Sequence, residues 1–167
     1  MFDTSVTSNA RHNAAFAWVL TALGIFAFAV VHLFSAVGEL AAGDSDHHHT
    51  HDHAHTDDGH LDAYSVLTNP NSAMAWFIAF VYTLTIVPPL LALLFRSRAA
   101  GIVALIAGGF LVLGNVADGF THAIDDKAAA PLLVALIAVG LPGFVALRET
   151  VRWIKEATTA VDSLDAG

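Results

Sequence analysis

The chain has 167 residues, of which 56% are hydrophobic and only 13% are charged, and its formal net charge is −8. An acidic chain lacks the basic surface that nucleic-acid binding requires, so we expect no nucleic-acid partner. The absence of cysteine excludes disulfides, thiolate zinc sites and iron–sulfur clusters.

Four apolar segments are each long enough to cross a bilayer, which takes roughly 20 helical residues. They lack the alternation of barrel strands and therefore predict an all-α, integral membrane four-helix bundle with up-and-down topology. We expect the whole chain to form one membrane domain, with a frayed tail after Glu156. The predicted helices cover about 14–40, 73–95, 99–122 and 128–154.

A secretory signal peptide is the alternative interpretation of the first apolar segment. The segment is longer than the apolar core of a typical signal peptide, and Asp3 stands where a basic residue is expected. We therefore expect it to be retained as a membrane helix.

A low-complexity loop at about 41–71 separates the first two helices, and it contains seven of the ten histidines. Closely spaced imidazoles interleaved with aspartates bind divalent transition metals such as Zn, Cu, Ni or Co in weak, exchangeable sites. A solvated acidic loop without a bound metal is the alternative. The histidines expected to capture metal are His47, His48, His49, His51, His53, His55 and His60.

The later segments carry residues that distort helices or allow them to pack closely. Pro88 and Pro89 remove backbone donors and predict a kink in the second helix, and Gly140 with Pro142 predicts a similar distortion in the fourth. The third helix is rich in small residues that permit close helix packing. For Gly108 and Gly109, the alternative to close helix packing is that they leave space for a flat cofactor.

The basic residues predict the orientation of the bundle. Arg11 precedes the first helix, and Arg96 and Arg98 form the turn between the second and third. Three basic residues, Arg148, Arg152 and Lys155, follow the apolar part of the fourth. By the positive-inside rule, both termini are cytoplasmic. The histidine-rich loop then faces the periplasm or exterior of a plasma (inner) membrane that the protein crosses several times.

Five polar residues lie within the apolar segments, where such side chains are costly and are candidates for function. Asp118 and His122 are four residues apart and share one helix face. Counting from the predicted helix ends places Glu39 level with them, and His32 deeper, beside Asn115. The sequence thus predicts an outer metal group of Glu39, Asp118 and His122 and an inner group of His32 and Asn115. Each residue also has an interpretation without a metal. Glu39 and His122 could extend into the headgroup region, Asn115 could form an interhelical hydrogen bond, and Asp118 could form a purely structural pair with His122 or His32.

Capture of a divalent transition metal by the loop, followed by transport or delivery through the His/carboxylate site, is the function these features favour. Four helices are few for a transporter, so we expect a homo-oligomer or a larger membrane complex, and no enzyme activity of the chain alone. One alternative is a subunit of a membrane oxidoreductase that holds a metal or a b-type haem. The predicted offset of two turns between His32 and His122 argues against such a haem. The other alternative is a non-catalytic assembly subunit.

Overall fold

The computed structural model describes residues 5–43, 73–125 and 129–165, and this part of the chain is almost wholly helical. The histidine-rich loop, and any prediction for residues 44–72, lies outside the described residues. The elements are α1 Ser5–Gly43, α2 Ala73–Leu84, α3 Val87–Leu94, α4 Arg98–Asp125, α5 Ala129–Val134, a π-helical segment Ala135–Gly140, and α6 Leu141–Asp165.

Four helical stretches are long and apolar enough to cross a membrane, which confirms the predicted all-α four-helix bundle of a multi-pass membrane protein. The spans are α1, then α2 with α3, then α4, and finally α5 with the π segment and α6. The expectation of a frayed tail after Glu156 is wrong, because α6 continues to Asp165. Ala157 packs against the buried core, which extends the helical contacts beyond the apolar run.

The first and third spans lie diagonally across the bundle. Both α1 and α4 pack against α6, the π segment and α3, and they make few contacts with each other. We call the end where α4 finishes the Asp125 end, and the opposite end, which carries Arg11 and the Arg96–Arg98 turn, the arginine end. A side chain of α1 therefore meets one of α4 only where both point toward the bundle axis.

Close approach between helices is possible because small residues stand at the contacts. A Cβ atom on Gly108 would lie 2.0 Å from the ring of Trp18, so the indole fills the space beside that glycine. Trp18 is only 2% exposed and belongs to a core cluster with alanines and Val112. The space beside Gly108 is therefore occupied by the protein itself, and this glycine serves helix packing.

The predicted distortion of the fourth helix takes the form of the π segment. Pro142 has no N–H to donate to the carbonyl of Ala138 four residues earlier, and the N–H of Leu141 bonds instead to Leu136 O, five residues earlier. Gly24 of α1 lies against the backbone of Ala138, where an added Cβ would be 1.8 Å from the carbonyl oxygen. The first and fourth spans thus meet backbone to backbone at this point.

Trp18 also makes a buried hydrogen bond to α6. Its Nε1 donates to Thr150 Oγ1 at 2.9 Å, and Thr150 Oγ1 in turn donates to Ala146 O at 2.7 Å. A Thr150→Val substitution keeps the volume but leaves the indole N–H without its acceptor, so we expect a loss of about 1–2 kcal/mol in unfolding free energy. Reversible unfolding in detergent measures this loss, and Thr83→Val, at an exposed threonine bonded only to its own helix at Ala79, is the matched control.

The second span is broken where the sequence predicts a kink. A turn at Thr85–Ile86 separates α2 from α3, and Pro88 and Pro89 follow directly at the start of α3. No described side chain of α2 is buried, whereas Pro88, Pro89 and Ala92 of α3 are. Val81, Tyr82 and Leu84 pack partly buried against the core, whereas the part of α2 nearer the Asp125 end is largely exposed.

Arg11 fixes the other end of the second span. Its Nη1 donates to Ala92 O at 3.1 Å and to Leu93 O at 3.0 Å, and the side chain is 8% exposed. These are among the last carbonyls of α3, which have no partner within the helix. The arginine that helps to predict the orientation therefore also caps a helix.

Candidate metal centre

Three ligand-type side chains from the two diagonal helices meet near the Asp125 end. His32 comes from α1, whereas Asp118 and His122 come from α4, and one potential ligand atom of each lies within 4.8 Å of the others. His32 Nε2 is 3.5 Å from Asp118 Oδ2, and His122 Nε2 is 3.8 Å from Asp118 Oδ1. The two carboxylate oxygens thus face different imidazoles, and Asp118 joins the pair.

The local structure explains this convergence. Asp118 and His122 are one helical turn apart on α4, so their side chains stack on the same face. The imidazole of His32 crosses the bundle axis to reach that face, and its ring contacts the ring of His122 edge-on, with centroids 4.2 Å apart. Two helices that barely touch elsewhere are therefore connected by these three residues.

The three residues are neither fully buried nor fully exposed. The exposed fraction of the side chain is 28% for His32, 50% for Asp118 and 33% for His122. Asp118 lies seven residues before the end of α4, which corresponds to about 10 Å along the helix. The site is therefore within reach of a small ligand from the Asp125 end of the bundle.

Apolar side chains close the site on its inner side. Phe28, one turn before His32 on α1, contacts the imidazole edge-on with centroids 4.5 Å apart. Phe28 belongs to a buried cluster that fills the bundle immediately below the site. The cluster consists of Ile25, Phe28, Leu111, Ala135 and Val139, none more than 4% exposed.

The predicted division into two levels is wrong for His32, which lies with Asp118 and His122. The prediction assumes that the first and third helices end at the same height. Instead, α1 continues eleven residues past His32 to Gly43, whereas α4 ends three residues past His122. At 1.5 Å per residue, the two ends differ in height by about 12 Å, and this offset raises His32 to the level of the α4 pair.

The structure describes the other predicted ligands, Asn115, Glu39 and the loop histidines, only in part or not at all. Asn115 is part-buried, one turn before Asp118, and its amide nitrogen donates to Leu111 O at 2.8 Å within its own helix. The role of the Asn115 amide oxygen as a metal ligand stays a prediction. Glu39 lies within α1, but its side chain is outside the described residues, as are all seven loop histidines.

Two aromatic residues near the site were not predicted as part of it. Phe28 is four residues before His32, so helical spacing alone would have placed it on the same face. Tyr82 of α2 stacks on Phe26 with centroids 5.5 Å apart, and it lies within electrostatic range of the Asp118 carboxylate. That proximity depends on how the second and third spans pack, and the sequence carries no signal for it.

The donor set suits a borderline transition metal. Two imidazole nitrogens and one carboxylate oxygen are ligands of Zn(II), Cu(II), Ni(II) and Co(II). With metal–ligand bonds of about 2.0–2.1 Å, ligand atoms around a tetrahedral ion lie roughly 3.3 Å apart. In this structure one ligand atom from each side chain lies within 4.8 Å of the other two, which is wider than that spacing. The three side chains would have to move closer together to bind one ion.

Comparison with known protein families, curated proteins and solved structures finds no match to this chain. The function is therefore inferred from the residues and geometry of the site.

Proposed function

We propose that the protein captures a divalent transition metal with its histidine-rich loop and holds it, for transport or delivery, at His32, Asp118 and His122. The observation that carries this proposal is the meeting of three ligand-type side chains from two diagonal helices within 4.8 Å. Polar side chains at membrane depth are costly unless they have a function or a partner, and here the three are one another's neighbours.

The number of ligands favours exchange over permanent binding. Structural zinc sites are closed by four protein ligands, whereas sites with three keep an open position for another molecule. Half of the Asp118 side chain is exposed, which leaves room for that position. A metal held in this way is able to pass to or from a loop histidine, to Glu39, or to a partner protein.

The apolar cluster beneath the site favours delivery over transport by one chain. An ion leaving His32 toward the arginine end would meet Phe28, Leu111 and Val139, all buried. These side chains offer no ligand atoms, and a charged ion among them would be strongly destabilised. Transport across the membrane would therefore need further copies or a larger complex, in agreement with the oligomer that the sequence predicts.

The orientation that we propose places the loop and the Asp125 end at the periplasm or exterior of the plasma (inner) membrane. The basic residues that support it are concentrated at the opposite end of the bundle. They are Arg11, Arg96, Arg98, Arg148, Arg152 and Lys155.

The geometry is unfavourable for the haem alternative with His32 and His122 as axial ligands. Axial histidines stand on opposite faces of the macrocycle, which separates them by its thickness and by two iron–nitrogen bonds. The two imidazoles here are in edge contact, with centroids 4.2 Å apart. A Soret band in the purified protein would nevertheless favour the oxidoreductase function over the one proposed.

Deletion of residues 44–60 tests which bound metal ions are held by the loop and which by the three bundle residues. We expect the deleted chain to keep one Zn(II) per chain, bound more tightly than by the loop although still exchangeable through the open position, because the three bundle ligands are intact. It should lose the additional weak, exchangeable equivalents that the seven loop histidines supply. Elemental analysis after dialysis counts the tight metal, and titration calorimetry counts the weak sites.

A loop in which only the seven histidines are replaced by serine is the matched control for the deletion, since it keeps length and acidity. It should behave like the deletion. Loss of the tightly bound ion from both variants would place the site in the loop and contradict the role of the bundle residues. Retention of every weak equivalent in both would contradict the role of the loop.

A further inference from the structure

A groove between the first and fourth spans lies at the arginine end, away from the candidate metal centre. It has a volume of about 300 Å³ and is lined by Asn13, Phe16, Ala17, Leu20, Pro142, Val145 and Glu149. From Asn13 to Leu20 it extends seven residues along α1, or about 10 Å. We call it the α1–α6 groove.

The groove has one polar and one apolar end. Asn13 and Glu149 are the lining residues nearest the arginine end, whereas Leu20 and Pro142 lie deepest in the span. Phe16 is 67% exposed and Val145 is 47% exposed, so the apolar walls open toward the lipid. A ligand with a polar head and a hydrocarbon tail fits this arrangement.

A basic stripe of α6 borders the polar end. Arg148, Arg152 and Lys155 are at positions i, i+4 and i+7, and all three are exposed. Arg152 Nη1 donates to Glu149 Oε2 at 3.0 Å, so the buried carboxylate in the groove wall is already paired. Glu156 on the same helix is less exposed than the stripe, and the rim that a headgroup would meet is therefore positively charged.

We propose that the α1–α6 groove is a binding site for an anionic phospholipid. One acyl chain lies along Phe16, Leu20 and Val145. The phosphate lies against the basic stripe, chiefly Arg148 and Lys155, since Arg152 is paired with Glu149. Basic clusters at the cytoplasmic ends of membrane helices bind anionic headgroups in this way. The orientation given by the positive-inside rule puts this groove in the cytoplasmic leaflet, where the anionic lipids carry the surface charge. The proposal does not depend on metal binding.

Native mass spectrometry of the full chain with equal amounts of phosphatidylglycerol and phosphatidylethanolamine tests this site. We expect retention of phosphatidylglycerol in preference to phosphatidylethanolamine. An R148Q/K155Q variant should lower that preference by at least about fivefold, because each basic residue near the surface contributes about that factor. Both side chains are exposed, and circular dichroism verifies that the variant is folded.

The matched control is R96Q/R98Q, which removes the same charge from exposed arginines of the same end outside the groove. It should keep the preference, and a loss equal to that of R148Q/K155Q would overturn the proposal in favour of diffuse attraction. Val145→Trp fills the groove without changing charge and should also reduce retention; unchanged retention would overturn the role of the groove. Displacement of the lipid by excess inorganic phosphate would show an anion site without a lipid tail, which also overturns the proposal.

Discussion

An Asp118→Asn substitution in the chain lacking residues 44–60 is expected to weaken Zn(II) binding by more than about a hundredfold. Asp118 faces both imidazoles, at 3.5 and 3.8 Å, and supplies the only negative charge of the three-residue group. The amide keeps the shape of the side chain but removes that charge. Loss of even an outer-shell partner of a metal ligand costs about 10- to 100-fold, and a direct ligand should cost more. Titration calorimetry of the purified variants measures the change.

Asp125→Asn is the matched control for this experiment. Asp125 is an exposed carboxylate on the same helix and at the same end of the bundle, and it is not one of the three residues of the group. The control should bind Zn(II) with the affinity of the loop-deleted chain. Equal losses in the two variants would mean that general attraction to negative charge, and no built site, accounts for binding. Unchanged binding in Asp118→Asn would exclude the site altogether.

A Gly24→Ala substitution is expected to destabilise the bundle by about 3 kcal/mol or more. The new Cβ would lie 1.8 Å from Ala138 O and 2.5 Å from Ala138 C, and these are backbone atoms that cannot rotate away. Overpacking of a core costs typically about 1–3 kcal/mol, and a contact that forces two helices apart belongs at the upper end. The intrinsic helix preference for alanine, roughly 1 kcal/mol, offsets only part of this cost. Unfolding in detergent measures the difference.

Gly114→Ala is the control for Gly24→Ala, since nothing lies within 4 Å of the added Cβ there. It should leave stability unchanged or raise it by up to about 1 kcal/mol through helix propensity. Gly24 lies two turns before His32 on α1, so pushing α1 outward should also separate His32 from Asp118 and weaken Zn(II) binding. A stable Gly24→Ala variant with full affinity would contradict the backbone contact between α1 and the π segment.

Local sequence properties were sufficient to predict the four spans and the pairing of Asp118 with His122. The length and apolarity of a span are properties of a single segment. The spacing of four residues that brings two side chains onto one face is a property of the helix itself. The break before Pro88–Pro89 follows from the same kind of reasoning, because a missing N–H is a property of the residue.

The level of His32 could not be predicted from local properties. Both α1 and α4 end three residues beyond their predicted ends, so the level of His32 depends on how far the two helices are shifted along their axes, which is determined by packing. At the arginine end, Ala10 and Ala157 pack on the bundle core and extend the helices that contain them. The contact of Gly24 with the π segment is equally non-local, since it joins residues more than a hundred positions apart.

Most of α2 is exposed, and the three residues of the candidate metal centre lie on other helices. A helix with no buried side chain among its described residues contributes few contacts, so its local opening costs far less free energy than unfolding of the bundle. All three members of the candidate metal centre come from the better-packed α1 and α4. Local opening of α2 would therefore leave the arrangement of the three side chains intact, because none of them belongs to that helix.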